Sequence, residues 1–181
     1  MLEIAALSIN YGLNNHQTMD INASQYSEKL QENRAAFVTL EISKRLRGCI
    51  GSLLAYRPLV EDVSSNAFSA AVKDPRFNPL TIPEYQQLEI HISILSPPEQ
   101  MTFDSEQSLL NQIQPGIDGI ILTDQGHRAT FLPSVWDSLP DKELFISELK
   151  QKAGLNKNHW SNTIQVERYS TFSFGEFTSN I

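Results

Sequence analysis

The sequence predicts an α+β fold, a mostly antiparallel sheet with inserted helices, and three observations carry that reading. Short apolar runs alternate at period two between Pro and Gly punctuation. Neighbouring runs stand close enough to pair as hairpins. Helical stripes fall between them without the regular strand–helix–strand repeat of a parallel sheet. At 181 residues the chain reads as a single domain, 1–181, long enough to bury roughly 70% of its unfolded surface.

Taken in order, Leu2, Ala5, Ala6 and Ile9 recur at helical spacing, which predicts a helix over 2–11 with Gly12 as its stop. Residues 13–24 are polar and read as a loop. In 34–42, Ala36, Val38, Leu40 and Ile42 alternate with Phe37, Thr39 and Glu41, the signature of a strand. Ser43 and Lys44 separate it from a second strand, 46–54, a hairpin without the strong Asn-Gly turn. Pro58 suits the first turn of a helix over 58–72 with one apolar stripe. Asp74-Pro75 ends it, because proline disfavours helix in the residue before it. An irregular stretch covers 76–82. In 88–95, Leu88, Ile90, Ile92 and Ile94 face one way while Glu89, His91 and Ser93 face the other. Ser105 caps a short helix over 105–113. An apolar strand, 116–123, pairs with 128–132 across Asp124-Gln125-Gly126. A helix over 141–153 is closed by Gly154, and 164–174 is the last strand. Strands dominate this reading.

Fourteen Lys and Arg against 21 Asp and Glu give a net charge of −7, with no basic run. Such a chain repels phosphate backbones, so no nucleic-acid partner is expected. No stretch approaches the roughly 18 apolar residues of a membrane span. The start, Met1-Leu2-Glu3-Ile4, has neither the basic residues nor the apolar run of a signal peptide. One cysteine, Cys49, excludes an internal disulfide and a multi-Cys zinc site, and a reducing, cytoplasmic compartment is expected. No two histidines have a metal-ligand spacing, so no tightly bound metal is expected; a weak site built from His91 and a distant carboxylate stays open. Phosphate loops, dinucleotide fingerprints and nucleophile elbows are absent, and no cofactor is expected.

The densest chemistry lies in Arg47-Gly48-Cys49-Ile50-Gly51. Strand parity puts Arg45, Arg47, Cys49 and Gly51 on one face, with Leu46 and Ile50 anchoring a central strand from the other. A cation two residues from a thiol favours the thiolate, and Gly48 and Gly51 inside a strand point to a bulge or to the close approach of another backbone or of a ligand, for which they would leave room. The alternative is a small buried side chain in a tight strand. Asp74 and Arg76, on a Pro-stiffened loop, either grip an anionic group or close the loop on each other. His91 is a candidate base or a hydrogen-bonded strand residue. Arg128 starts a strand and could point to a cleft. His127 sits in a turn and is expected to be exposed, and His16 and His159 have no partner pattern.

Leu46-Arg47-Gly48-Cys49-Ile50-Gly51 resembles the hallmark hexapeptide of the AMMECR-type domain family, whose microbial members are named AmmeMemoRadiSam system protein A. Companion segments keep the family order. Phe37-Val38-Thr39-Leu40 precedes the hexapeptide, and Asp74-Pro75-Arg76-Phe77 and Ser93-Ile94-Leu95-Ser96 follow it. Pro115-Gly116-Ile117-Asp118-Gly119, Arg128-Ala129-Thr130-Phe131-Leu132-Pro133 and Lys152-Ala153-Gly154-Leu155 complete the series. The resemblance runs over 30–174 and implies a main antiparallel-sheet part with a smaller part packed on it. It also implies association with a Memo-like protein, related to extradiol dioxygenases, and with a radical SAM protein. It implies no settled reaction. A short N-terminal region is the one departure.

Two functions follow as expectations. In the first, the chain is an enzyme or enzyme component acting on a small molecule: Cys49 and His91 are catalytic, and Arg47, Gly48, Gly51, Asp74, Arg76 and Arg128 bind substrate. In the second, the same groove is a non-catalytic binding or adaptor module. A concave polar site beside Cys49 favours the first and a flat apolar face the second. Arg47, Cys49, Asp74 and Arg76 are expected around one cleft.

Overall fold

The computed structural model describes residues 1–181. In chain order the elements are α1 (Leu2–Asn15), α2 (Glu28–Gln31), β1 (Ala36–Ile42), β2 (Arg45–Gly51), α3 (Leu59–Val72), α4 (Ile82–Tyr85) and β3 (Glu89–Leu95). They continue with β4 (Glu99–Gln100), α5 (Glu106–Gln112), β5 (Gly119–Asp124), β6 (His127–Phe131), α6 (Lys142–Lys152), β7 (Gln165–Tyr169) and β8 (Thr171–Phe177). Packing divides the chain into two units, Met1–Leu95 with Phe172–Ile181, and Ser96–Thr171. Each has its own four-stranded sheet and core, an α+β architecture. No helix is long and apolar enough to cross a membrane.

In the first unit the sheet order is β2-β1-β3-β8, and β1 runs antiparallel to both β2 and β3. The alternation read from the sequence holds: Val38, Leu40, Ile90 and Ile92 are fully buried and meet the apolar stripe of α3. Desolvation of these side chains drives the layer together. Asp62 of α3 is buried beneath the sheet, where its carboxylate accepts hydrogen bonds from the Ala36 N–H, Arg57 and Asn66. Burial pushes that carboxyl up against the pull of Arg57.

The β1–β2 hairpin turns on Ser43 and Lys44, both at positive φ, the conformation Asn-Gly would adopt more readily. Its register slips between Leu40 and Glu41: Leu40 faces Gly48, but Glu41 faces Leu46, so Arg47 is the extra residue of a β-bulge. The bulge corrects strand parity. Leu46 is turned to the same face as Cys49 and is 42% exposed instead of anchoring the core. The strand is also an edge strand, not a central one.

Gly12 does not stop α1, which continues to a left-handed cap at His16. A Cβ at Gly12 would meet the Phe68 ring at 2.2 Å, so this glycine serves close packing of α1 on α3. The second strand stops at Gly51, short of residue 54. The run 164–174 is two strands in two sheets: β7 belongs to the second unit and β8 to the first. The short elements α2, α4 and β4 had no periodic signal, and helix, at 36%, exceeds strand, at 27%.

In the second unit the order is β4-β7-β5-β6, all antiparallel where paired. Ile120, Leu122 and Val166 pack against Leu109, Phe145 and Leu149 of α5 and α6. Trp136 stacks on Phe145, and its indole N–H donates to the Asp118 carbonyl at 2.7 Å. Ser105 and Asp141 cap their helices as their residue types predict. Gly154, at φ +84, follows α6.

Candidate functional site

The site begins with the bulge. Arg47 sends its guanidinium to α4: Nε donates to Glu84 Oε1 at 2.8 Å and Nη2 to Oε2 at 3.2 Å, a forked pair. Nη2 also donates to the Asn78 carbonyl at 2.9 Å. Glu84 is held in place by a capping box, its Oε2 accepting from the Thr81 N–H and hydroxyl, each at 2.8 Å. The Arg47 hydrogen bond holds the Glu84 carboxyl down at about 2. One donor of this guanidinium, Nη1, is buried and unpartnered.

Asp74 comes next, just past the end of α3. Its carboxylate is 2% exposed and accepts from the Cys49 N–H at 2.9 Å, the Arg76 N–H at 3.1 Å, and Arg76 Nε and Nη2 at 3.0 and 2.7 Å. Arg76 Nη2 also reaches the Cys49 carbonyl at 3.4 Å. The 74–76 turn therefore occupies the backbone groups of Cys49 that point away from β1, as a neighbouring strand would. The Arg76 hydrogen bond, reinforced by the backbone N–H groups, holds the Asp74 carboxyl well below the usual carboxylate range.

Both guanidinium groups lie on the Phe77 ring, 5.7 and 5.5 Å from its centroid. Together Arg47, Arg76, Phe77, Asn78, Thr81 and Glu84 line a surface hollow of about 510 Å³. Arg76 is 53% exposed there while Asp74 is covered, so the charge presented outward by that pair is cationic. Cys49, Asp74 and Arg76 meet as expected and Arg47 shares the hollow with Arg76, but Cys49 and Asp74 do not line that hollow.

The glycines have reasons within the chain. A Cβ on Gly48 would stand 2.2 Å from the Ala70 carbonyl oxygen of α3, and one on Gly51 would stand 2.3 Å from the Phe37 ring. The room that the sequence reading gave to a ligand is filled by α3 and Phe37. The Cys49 sulfur accepts the Thr39 hydroxyl at 3.3 Å. Arg47 turns to α4 instead of sitting beside the thiol.

His91 stands on β3 opposite Thr39, and Cys49 on β2 stands opposite Thr39 from the other side. Two strand spacings, about 10 Å, separate the backbones of Cys49 and His91, too far for a thiol–imidazole dyad. The His91 ring faces Glu89 at 3.2 Å and Glu41 at 3.9 Å. Arg128 lies in the second unit, in an exposed ion pair with Glu167 at 3.7 Å. Glu84 escaped sequence reasoning, although Thr81-Ile82-Pro83-Glu84 carries the spacing of a capping box.

Residues 2–174 match the AMMECR1 family. Protein MJ0810 of Methanocaldococcus jannaschii is 36% identical over 159 residues, covering 83% of this chain and 77% of that protein. A protein of Methanothermobacter thermautotrophicus is 32% identical over 160 residues, covering 86% and 81%. The crystal structure of protein PH0010 from Pyrococcus horikoshii matches with a TM-score of 0.88 at 30% identity, covering 97% of this chain and 89% of that one. The names of these relatives state no activity.

Proposed function

The chain belongs to the AMMECR1 family, and we propose that it binds a small molecule bearing a carboxylate or phosphate in the hollow lined by Arg47, Arg76 and Phe77. The observation that carries this is the Arg76 guanidinium, 53% exposed over the Phe77 ring at that hollow. Its Nε and Nη2 are held by Asp74, which leaves the Nη1 donors for a ligand carboxylate or phosphate.

A shallow hollow with a charged and polar lining suits a small anionic ligand better than the apolar face a docking module would use. The distance between Cys49 and His91 favours holding a molecule over covalent chemistry by a thiol and base. In this proposal the Memo-like and radical SAM proteins implied by the resemblance act on the held molecule, making the chain a component of an enzyme system. Purified protein is dialysed against metabolite fractions, with and without those two proteins, and retained masses are measured. Retention of anionic compounds that falls at least tenfold in Arg76→Ala, and a mass change only when the partners are present, is the expected result. Equal retention by wild type, Arg76→Ala and Arg47→Lys overturns the ligand site.

A further inference from the structure

We propose that Glu41, Glu89 and His91, on the sheet face opposite the α3 core, form a binding site for a divalent transition-metal cation, with zinc as the representative ion. One ligand atom from each of the three lies within 4.8 Å of the others. The register of β1 and β3 builds the group: Glu41 pairs directly with Glu89, and His91 follows Glu89 by two positions on the same face. An i, i+2 pair on one strand with a third donor from the facing strand is the sheet counterpart of the helical spacings on which the sequence reading excluded a tight site.

Three features set this group apart from a chance gathering of surface charges. First, two carboxylates directly opposite each other repel, and both turn to the same imidazole, at 3.2 and 3.9 Å. Second, the His91 Nε2 that faces them is shielded from solvent and makes no hydrogen bond of acceptable geometry. A cation between nitrogen and carboxylates supplies the missing partner and offsets the repulsion. Third, the ring is held from behind. Gly175 of β8 leaves the space the imidazole fills, and a Cβ there would stand 2.2 Å from His91 Nδ1. That contact orients Nε2 forward, as the surroundings of metal-ligating histidines do.

One imidazole nitrogen and two carboxylate oxygens make a borderline donor set. It suits zinc or a neighbouring first-row ion better than calcium, which needs six or more oxygens. Three protein ligands leave a fourth tetrahedral position for water or a ligand atom. Glu41 and Glu89 remain 30% and 22% exposed, so the ion has an entry path.

The test is calorimetric titration of metal-stripped protein with zinc, with circular dichroism to verify the fold of each variant. One equivalent is expected to bind wild type. Glu41→Gln and Glu89→Gln keep the side-chain shape and are expected to abolish binding or to weaken it by at least tenfold. Gly175→Ala, which displaces the His91 ring without replacing any of the three ligand residues, is expected to weaken binding by about 10- to 100-fold. Absence of saturable binding to wild type overturns the assignment. So does zinc affinity retained by the folded Glu41→Gln/Glu89→Gln double variant, which would place the ion elsewhere.

Discussion

Asp74→Ala removes the acceptor for four hydrogen bonds, three from Arg76 and one from the Cys49 N–H. The two losses differ in size. Arg76 is 53% exposed and rehydrates when the carboxylate goes, so its ion pair contributes about 0–1 kcal/mol. The Cys49 amide, in a half-buried edge strand, loses its acceptor at a cost of about 1–3 kcal/mol. Together these predict a destabilisation of about 1–4 kcal/mol at pH 7, read from urea denaturation. Exchange of the Cys49 amide proton should accelerate by about 5- to 700-fold, at 1.4 kcal/mol per tenfold. Arg76→Ala should cost less, about 1 kcal/mol, because truncation uncovers Asp74 to water while the Cys49 N–H keeps its partner. The pH dependence follows from the lowered carboxyl. A folded-state value below the unfolded one, about 3.9, contributes stability that is complete above that value and is lost as pH falls through the lower one. The penalty of Asp74→Ala should therefore shrink below about pH 4. A loss under about 0.5 kcal/mol, or an Arg76→Ala cost equal to that of Asp74→Ala, would refute the idea that Asp74 acts chiefly on the strand edge.

Two further outcomes follow from the same region. Gly48→Ala drives a Cβ to 2.2 Å from the Ala70 carbonyl and should cost about 1–3 kcal/mol or more in thermal or urea unfolding; a neutral result would show that β2 lifts from α3 without penalty. Because Arg47 is engaged by Glu84 and Asn78, alkylation of Cys49 at pH 7.5 should change by less than about twofold in Arg47→Gln, and a tenfold slowing would restore an Arg47-activated thiol.

Much of the first unit was legible because its forces act at short range along the chain. Strict alternation in β1 and β3 named both buried rows, and a Pro-bounded Asp74–Arg76 loop stood out from its apolar surroundings. The glycines of β2 pointed to a bulge or a close backbone approach, but the extra residue, Arg47, and the close neighbour, the Ala70 carbonyl of α3, are set across space and not along the chain. Glu84 was hidden for the same reason, since its partner is 37 positions away. Gly12 read as a helix stop when its neighbour across space, Phe68, makes it a packing residue. The passage from β7 to β8 carries no proline or glycine to mark where one sheet hands over to another. Glu89 and His91 shared a face already in the sequence, but only the register of β1 and β3 brings Glu41 to them from across the ladder.

The first unit is written in two pieces, with the whole of Ser96–Thr171 between them. During synthesis β1, β2 and β3 leave the ribosome early, while β8 is translated only after the inserted unit. For that interval one flank of β3 is bare, a row of unpaired amides and carbonyls open to any other extended chain. Glu89 and His91 stand on that same strand, one charged and the other polar, and a bare edge carrying such side chains is a poor template for stacking against a copy of itself. The last strand then does two things on arrival: it closes the flank, and through Gly175 it seats the His91 ring. A nascent chain can thus own every side chain of the Glu41–Glu89–His91 group and still lack the backing that aims its nitrogen. Maturation of that group coincides with the final hydrogen-bonded ladder of the fold.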